Sequence, residues 1–270
     1  MKNKRKRSAA ERHGQIQTTL EGYRRFDFDY IPFGTHWKAP DENFDYYKKN
    51  NRFICLVVRS VLATAGKLLV KVAYGAKVVG KENLKQLGTS GALCVCNHFH
   101  LLDTLFVREA LGHFRSYHTM GAANNKTGLG GAIIRCGGML PLSDNLTAMR
   151  NFNREVDRLL KAGKFVNFYA EQAMWTNYQK PRPMKEGAFY YAAKSNVPVV
   201  PIFCTFRKNK FGHMKRLRIH ILPPVYADET LSRKQRMAVL KEQAETAWRK
   251  CYEETYGIPF EYVPNRRKNK

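Results

Sequence analysis

A histidine and an aspartate five residues apart, His98 and Asp103, are the residues of this chain best suited to acid–base chemistry. Imidazole titrates near neutral pH and can take a proton from an alcohol, while a carboxylate on its other ring nitrogen fixes the tautomer and stabilises the imidazolium. Such a pair can activate a hydroxyl for direct attack on a thioester without a protein nucleophile. A loop histidine satisfied by a nearby carboxylate has the same spacing, so the interpretation depends on the rest of the chain.

The elements around this pair predict an α/β fold. His98 follows a short apolar run, Leu93 to Cys96, and in an open α/β sheet ligands bind beyond the carboxyl ends of such strands. The expected strands are residues 93–96, 116–120, 138–142, 164–169, 197–203 and 217–222. The expected helices are residues 105–111, 130–136, 149–160 and 187–195, with a long one opened by a capping box at Ser232 and Gln235 and ending near Gly257. This alternation predicts a mixed, largely parallel sheet covered by helices on both faces.

The charge of the chain favours a polyanionic partner. A formal net charge of +25 over 270 residues draws a protein to nucleic acid or to an anionic membrane surface. The sequence has no zinc-type Cys/His spacing, no repeat and no Gly-rich RNA-binding signature, so no nucleic acid is expected. Several of the six cysteines lie in apolar runs, which indicates small core residues in a reducing compartment.

Composition divides the chain into four segments. Residues 1–50 form a basic, aromatic N-terminal arm, residues 51–80 an amphipathic helical segment, residues 81–257 the α/β domain and residues 258–270 a basic C-terminal tail. No signal peptide opens the chain, so we expect the arm on the cytoplasmic side.

The amphipathic segment is the expected membrane contact. Its apolar residues recur at helical spacing from residue 53 to 74, and Arg59, Lys67 and Lys71 are expected on one polar stripe. These charges interrupt the run of about 18 apolar residues that a transmembrane span needs. The pattern therefore predicts a helix that lies in the membrane interface, or one that packs on the domain; the sequence leaves both open.

Four blocks in order carry a resemblance to a known family. They are residues 97–103 (NHFHLLD), 131–142 (GAIIRCGGMLPL), 168–171 (FYAE) and 196–202 (NVPVVPI). Over about residues 75–225 the chain resembles the glycerolipid acyltransferase family, whose best-known members are the 1-acylglycerol-3-phosphate acyltransferases (PlsC-like). The first block matches the family's NHxxxxD pattern in both residues and spacing.

The resemblance implies an O-acyltransferase of phospholipid biosynthesis. The donor would be acyl-CoA or acyl carrier protein, and the acceptor a lysolipid, foremost 1-acyl-sn-glycerol-3-phosphate. No cofactor or metal is implied. The implied partners are the acyl donor thioester, the lysolipid and an anionic membrane surface, with acyl carrier protein as the alternative donor. The implied location is peripheral, on the cytoplasmic side of the cell membrane.

The resemblance also implies the roles of individual residues. His98 is the base, Asp103 orients it, and Glu171 with Gln172 contacts the acceptor. Two family arginines that are thought to hold the acceptor phosphate are absent, since their places read Ser143-Asp144-Asn145 and Gln172-Ala173-Met174. The cations that could replace them are Arg135, Lys180, Arg182 and Lys185.

The missing arginines leave the acceptor open. A different lipid acceptor (a glycolipid, an aminolipid or another lysophospholipid) would need no such pair. A non-catalytic basic protein that binds membrane or nucleic acid is the other alternative.

Overall fold

The computed structural model of the chain describes residues 51–143, 145–209 and 214–261. The predicted arm (1–50) and the basic end of the predicted tail lie outside these residues. Seven strands of the described chain form one sheet, in the order β1-β7-β6-β2-β5-β3-β4. They are β1 Lys77–Val79, β2 Ala92–Cys96, β3 Ser116–Met120, β4 Met139–Pro141, β5 Phe165–Phe168, β6 Val199–Lys208 and β7 Met214–Ile221. All pairings are parallel except that of β6 with β7.

Helices cover both faces of the sheet. They are α1 Arg52–Val61, α2 Lys67–Tyr74, α3 Glu82–Lys85, α4 Asp103–Leu111, α5 Gly128–Cys136, α6 Leu146–Lys161, α7 Gly187–Ser195 and α8 Arg233–Tyr256. The predicted capping box opens α8, where Ser232 and Gln235 bond reciprocally, and Gly257 ends it in the left-handed conformation with a φ of 67°. The predicted fold class is therefore confirmed. Among the strands and α-helices, the sequence interpretation missed the short elements β1 and α3.

The two faces of the central strand β2 form two separate cores. All five of its residues are buried, so alternate side chains enter opposite layers. Cys94 and Cys96 face the layer that contains α2 and α4. Leu93 and Val95 face the layer formed by α6, α7 and α8. This two-sided burial gives the carboxyl end of β2 a rigid support on both faces.

The N-terminal helix is continuous but changes its pitch in the middle. Helices α1 and α2 are joined by a π-helical turn at Leu62–Gly66, and Asn51 caps the first turn through bonds from Phe53 N and Ile54 N. The 23 residues from Arg52 to Tyr74 are long and apolar enough to cross a membrane, judged by length and composition only. The expectation that the three charges exclude a transmembrane span is therefore wrong on length and composition.

Arg59 does not lie on the expected polar stripe. It is buried, and it donates to the carbonyls of Cys136 (3.2 Å), His113 (3.1 Å) and Ser116 (3.4 Å). Lys67 instead extends into solvent. The π-helical turn between them shifts the phase of the helix, so a regular α-helical projection places Arg59 wrongly. The guanidinium fastens α1 to the loops beside α5 and β3.

Eight large apolar side chains of this helix remain exposed. They are Phe53, Ile54, Leu56, Val57, Val61, Leu68, Leu69 and Val72. Leu129 and Ile133 of α5, which packs against α1, are exposed as well. A contiguous exposed apolar surface of this kind marks a site of interaction with a membrane or a partner.

Candidate active site

The carboxyl end of β2 is tied to its neighbour before the catalytic loop begins. Asn97, the first residue after β2, accepts a bond from Cys204 N of β6 (2.8 Å) and donates one to Cys204 O (3.1 Å). Its side-chain amide therefore replaces a strand residue in the pairing of β2 with β6. The next residue, His98, leaves the sheet edge from a fixed starting point.

His98 and Asp103 form the predicted pair. The Nδ1 atom of His98 lies 2.7 Å from Oδ2 of Asp103, and that oxygen also accepts bonds from Phe99 N (2.9 Å) and His100 N (3.1 Å). Asp103 is buried at the first position of α4, where the helix dipole favours a negative charge. A carboxylate that accepts from Nδ1–H leaves the lone pair on Nε2 to receive a proton.

The imidazole of His98 is open on its reactive side. Its side chain is 21% exposed, whereas that of Asp103 is 2% exposed. Tyr169 stacks on the ring with a centroid distance of 4.2 Å and an interplanar angle of 21°, and its hydroxyl lies 3.2 Å from Thr104 Oγ1. Burial raises the pKa of Tyr169 well above its usual value, so it stays a neutral hydroxyl. The stacking fixes the plane of the base.

Tyr169 is a site residue that the sequence interpretation missed. It belongs to the third block and follows directly after β5, at the same sheet edge as His98. This position, directly after a strand that ends at the same sheet edge as His98, could have indicated that Tyr169 belongs to the site.

Glu171 and Arg182 lie beside this pair but face each other. Glu171 Oε2 accepts from the backbone N of His98 (3.0 Å) and from Arg182 Nη2 (2.8 Å), and Oε1 accepts from Arg182 N (2.9 Å). Arg182 also donates to Ala173 O, and its guanidinium lies 4.0 Å from the ring centroid of Trp175. Both charged residues are buried.

This arrangement differs from the expected one. Glu171 and Arg182 were expected to contact the substrate, but in the structure they neutralise each other in the interior. Trp175 N also donates to His98 O (3.0 Å), so the backbone of His98 is held through both its N–H and its carbonyl. Glu171 and Arg182 therefore position the catalytic loop.

The other expected acceptor-binding residues are spread over two places. Gln172 is exposed, with a φ of 62°, and Lys180 and Lys185 are half-buried in the loop that leads to α7. Arg135 is separate from them, because its Nη1 donates to Lys126 O (2.7 Å) and to Asn125 Oδ1 (3.2 Å). The guanidinium of Arg135 is thus bonded to the loop that precedes its own helix.

The segment that stands where the family has its first phosphate-binding arginine, residues 143–145, leads directly into α6. Asn145 caps α6, since its side chain accepts from Thr147 N and Ala148 N. Asp144 lies outside the described residues. The described part of this segment therefore supplies a helix cap in place of a phosphate ligand.

A cleft opens beside the catalytic loop. Its volume is about 370 Å³, and its lining includes Tyr74, His100, Asn177 and Lys215. Burial lowers the pKa of His100, and its Nδ1 accepts a bond from Leu102 N (3.1 Å). His100 is accordingly neutral at pH 7 and lines the cleft as a polar, uncharged group.

The fold and the pair together define a class: an α/β enzyme whose histidine–carboxylate base suits direct acyl transfer. Residues 75–205 match the model of the family described as acyltransferase. The match shows an acyltransferase domain over these residues, and the chain is an acyltransferase.

One solved structure is similar in fold: the crystal structure of the 1-acyl-sn-glycerophosphate (LPA) acyltransferase PlsC from Thermotoga maritima. It is 19% identical, with a TM-score of 0.49, and the match covers 76% of this chain and 86% of that one. No curated protein matches the chain significantly.

Proposed function

We propose that this protein transfers a fatty acyl chain from a thioester donor to the hydroxyl of a lysolipid, with 1-acyl-sn-glycerol-3-phosphate as acceptor and phosphatidic acid as product. The observation that carries the proposal is the His98–Asp103 contact of 2.7 Å, with Nε2 directed away from the carboxylate. The match of residues 75–205 to the acyltransferase family model supports the reaction class. No resident cofactor or metal is needed for this chemistry.

The reaction proceeds without a covalent enzyme intermediate. Nε2 of His98 takes the proton of the acceptor hydroxyl as its oxygen attacks the thioester carbonyl, and Asp103 stabilises the imidazolium. The C–S bond then breaks, and the imidazolium returns the proton to the leaving thiolate. The amides of residues 98, 99 and 100 already donate to carboxylates, so other donors stabilise the oxyanion.

A second acceptor class is favoured by a specific observation. Both family arginine positions lack arginine, and Arg135 and Arg182 are bonded within the protein. Lys180 makes no side-chain hydrogen bond or ion pair with other described residues, so its ammonium group is available to a head group. A lysolipid whose head group needs less positive charge than a phosphate monoester is therefore the alternative.

An acceptor panel tests the proposal. Full-length protein is given a radiolabelled oleoyl thioester, as acyl-CoA or as acyl carrier protein, with lysolipids that differ only in the head group. We expect the highest kcat/KM with 1-acylglycerol-3-phosphate. The His98→Ala protein serves as the blank and should transfer no acyl chain. A tenfold preference for a neutral or zwitterionic head group would move the assignment to the alternative acceptor. No transfer to any lysolipid from either donor would overturn the proposed function.

The proposed location is peripheral, on the cytoplasmic side of the cell membrane. The exposed apolar side chains of α1 and α2 support an interfacial helix, since the opposite side of that helix is engaged with the domain through Arg59 and Val70. Lys215 Nζ also donates to Ala73 O near its end. A helix held to the domain at Arg59, Val70 and Ala73 lies along it over that length.

Vesicle binding should depend on this surface. The triple variant Phe53→Ser, Leu68→Ser and Val72→Ser should bind anionic vesicles at least about tenfold more weakly in a sedimentation assay. Each substitution removes about 1.5 kcal/mol or more of apolar transfer free energy from vesicle binding. The control replaces three other exposed apolar residues that lie outside this helix, Val79, Tyr226 and Ile258.

Added salt should also weaken vesicle binding of the unchanged protein, since part of the attraction is electrostatic. Equal binding by the two triple variants would contradict the interfacial role of the helix.

A further inference from the structure

A second cleft lies at the same edge of the sheet as His98, but on the face covered by α8. Its volume is about 260 Å³. It is lined by Thr205, Phe206, Arg207, Arg216, Arg218 and the end of α8 at Thr255 and Tyr256. Of the described residues that line it, three are arginines and none has a carboxylate. We propose that this cleft binds the phosphate groups of coenzyme A, the donor of the proposed reaction; the inference thus rests on the proposed function.

The pairing of β6 with β7 brings the arginines together. Leu217 and Ile219 are buried in the layer beside α2 and α4. The residues that alternate with them along β7, Arg216 and Arg218, therefore face α8. Thr205 of β6 pairs with Arg218, and the register shifts between Thr205 and Arg207. Such a bulge re-aims side chains at a strand end.

Arg216 adopts an unusual backbone conformation at this place. Its φ is 53°, in the left-handed region that costs a non-glycine residue about 1 kcal/mol or more. Residues with a strained backbone cluster at active sites and ligand-binding sites. Here the distortion lies in the strand whose arginines line the cleft.

The strands that supply the arginines carry no acidic residue, and the nearest carboxylate of α8, Glu254, precedes the lining residue Thr255 without lining the cleft itself. From residue 187 to residue 227 the sequence has seven Lys and Arg residues and no Asp or Glu. Arg207 and Arg216 form no ion pair with another described residue, and Arg218 donates only to the carbonyls of Gly75 and Leu217. Guanidinium groups without carboxylate partners bind phosphate oxygens in planar, bidentate fashion. Three of them suit a ligand with more than one phosphate.

The position of the cleft favours coenzyme A over a lipid head group. The exposed apolar surface belongs to α1, α2 and α5, whereas the cleft opens beside α8 on the other face of the sheet. A water-soluble polyanion can therefore enter it while the apolar helix is in the interface.

The cleft is also close to the catalytic loop. Phe206 is one of the lining residues, and its ring, buried in the layer beside α2 and α4, stacks on Phe99 at 5.2 Å; Phe99 is adjacent to His98. Coenzyme A carries its phosphates on a nucleotide that a long flexible arm separates from the thioester. A phosphate site that lies beside the catalytic loop, and not within it, agrees with this separation between the phosphates and the thioester. A concave cleft of this size suits a small molecule better than the broad surface of an acidic carrier protein.

The test compares two triple variants of the full-length protein. The first, Arg207→Gln, Arg216→Gln and Arg218→Gln, removes the cleft cations. The matched control, Lys85→Gln, Lys194→Gln and Lys234→Gln, removes the same charge from exposed positions at the opposite edge of the sheet. Binding of adenosine 3′,5′-bisphosphate is measured by calorimetry for both, for the unchanged protein and for His98→Ala. Transfer is measured with acyl-CoA, with acyl-pantetheine, which lacks the nucleotide, and with acyl carrier protein.

We expect the cleft variant to lose nucleotide binding at least tenfold and to raise KM for acyl-CoA by a similar factor, with kcat and the rate on acyl-pantetheine unchanged. The control and His98→Ala should bind the nucleotide as the unchanged protein does. Equal binding by the two triple variants would overturn the inference, as would a loss confined to acyl carrier protein or to anionic vesicles. A third outcome separates the two proposals. If nucleotide binding depends on the cleft arginines but no acceptor is acylated, the proposed function is overturned and the nucleotide-binding site stands.

Discussion

The His98→Ala protein is expected to keep its fold and to lose acyl transfer by at least about 10³-fold in kcat, since general base catalysis contributes about 10²–10⁴-fold and no other described group takes its place. The imidazole is partly exposed and its Nε2 bonds to no residue that the structure describes, so its removal leaves no cavity deep in the core. Asp103 keeps its bonds from Phe99 N and His100 N, which hold the loop without the ring.

The measurement is kcat with saturating donor and acceptor, together with the thermal unfolding midpoint. His113→Gln is the matched control, because His113 lies beyond the far end of α4 and bonds only to Glu109 through its ring. It should retain activity within about threefold, since general acid–base groups act only within hydrogen-bond reach. Retention of a tenth or more of the activity by His98→Ala, with the fold intact, would remove His98 from the mechanism.

Replacing Arg182 alone with methionine should lower the free energy of unfolding by about 3–5 kcal/mol, because Glu171 is then left as an uncompensated buried charge. Glu171 and Arg182 are in contact at 2.8 Å, with side chains 2% and 4% exposed. The double change Glu171→Gln with Arg182→Met should recover much of the loss, since glutamine still accepts from the backbone N of His98. The coupling is measured by urea denaturation in a double-mutant cycle.

A surface ion pair provides the control for this cycle. Arg158 and Glu155 of α6 are also 2.7 Å apart, but the Arg158 side chain is 60% exposed. Arg158→Met should cost about 1 kcal/mol or less, as exposed pairs do. A cost for Arg182→Met no larger than this would show that the buried pair does not support the loop. Because Glu171 holds His98 in place, Arg182→Met should also lower kcat while leaving His98 present.

The elements that could be predicted from sequence carry their signals locally. The capping box at Ser232 and the glycine at 257 bound α8 correctly, because each signal acts within one turn of the helix. The pair His98 and Asp103 could be predicted for the same reason, since only four residues of loop connect them. Strand β1 was missed because three residues at a sheet edge show no alternation.

The parts that could not be predicted depend on contacts between distant segments. Arg182 reaches Glu171 only because the intervening loop folds back on the catalytic histidine, and nothing in its composition indicates that pairing. Arg59 turns inward because of a π-helical turn, which follows from packing and not from a propensity of its residues. The arginines of β6 and β7 converge through a strand register that includes a bulge.

The placement of the apolar helix and of α8 on opposite faces of one sheet has a kinetic consequence. On the proposed arrangement the lipid arrives from one side of the carboxyl edge and the soluble donor from the other. Neither substrate then obstructs the entry of the second, and the freed thiol and the finished lipid depart into different phases. Such an enzyme should form a ternary complex in either order of addition, so its double-reciprocal plots should intersect instead of running parallel.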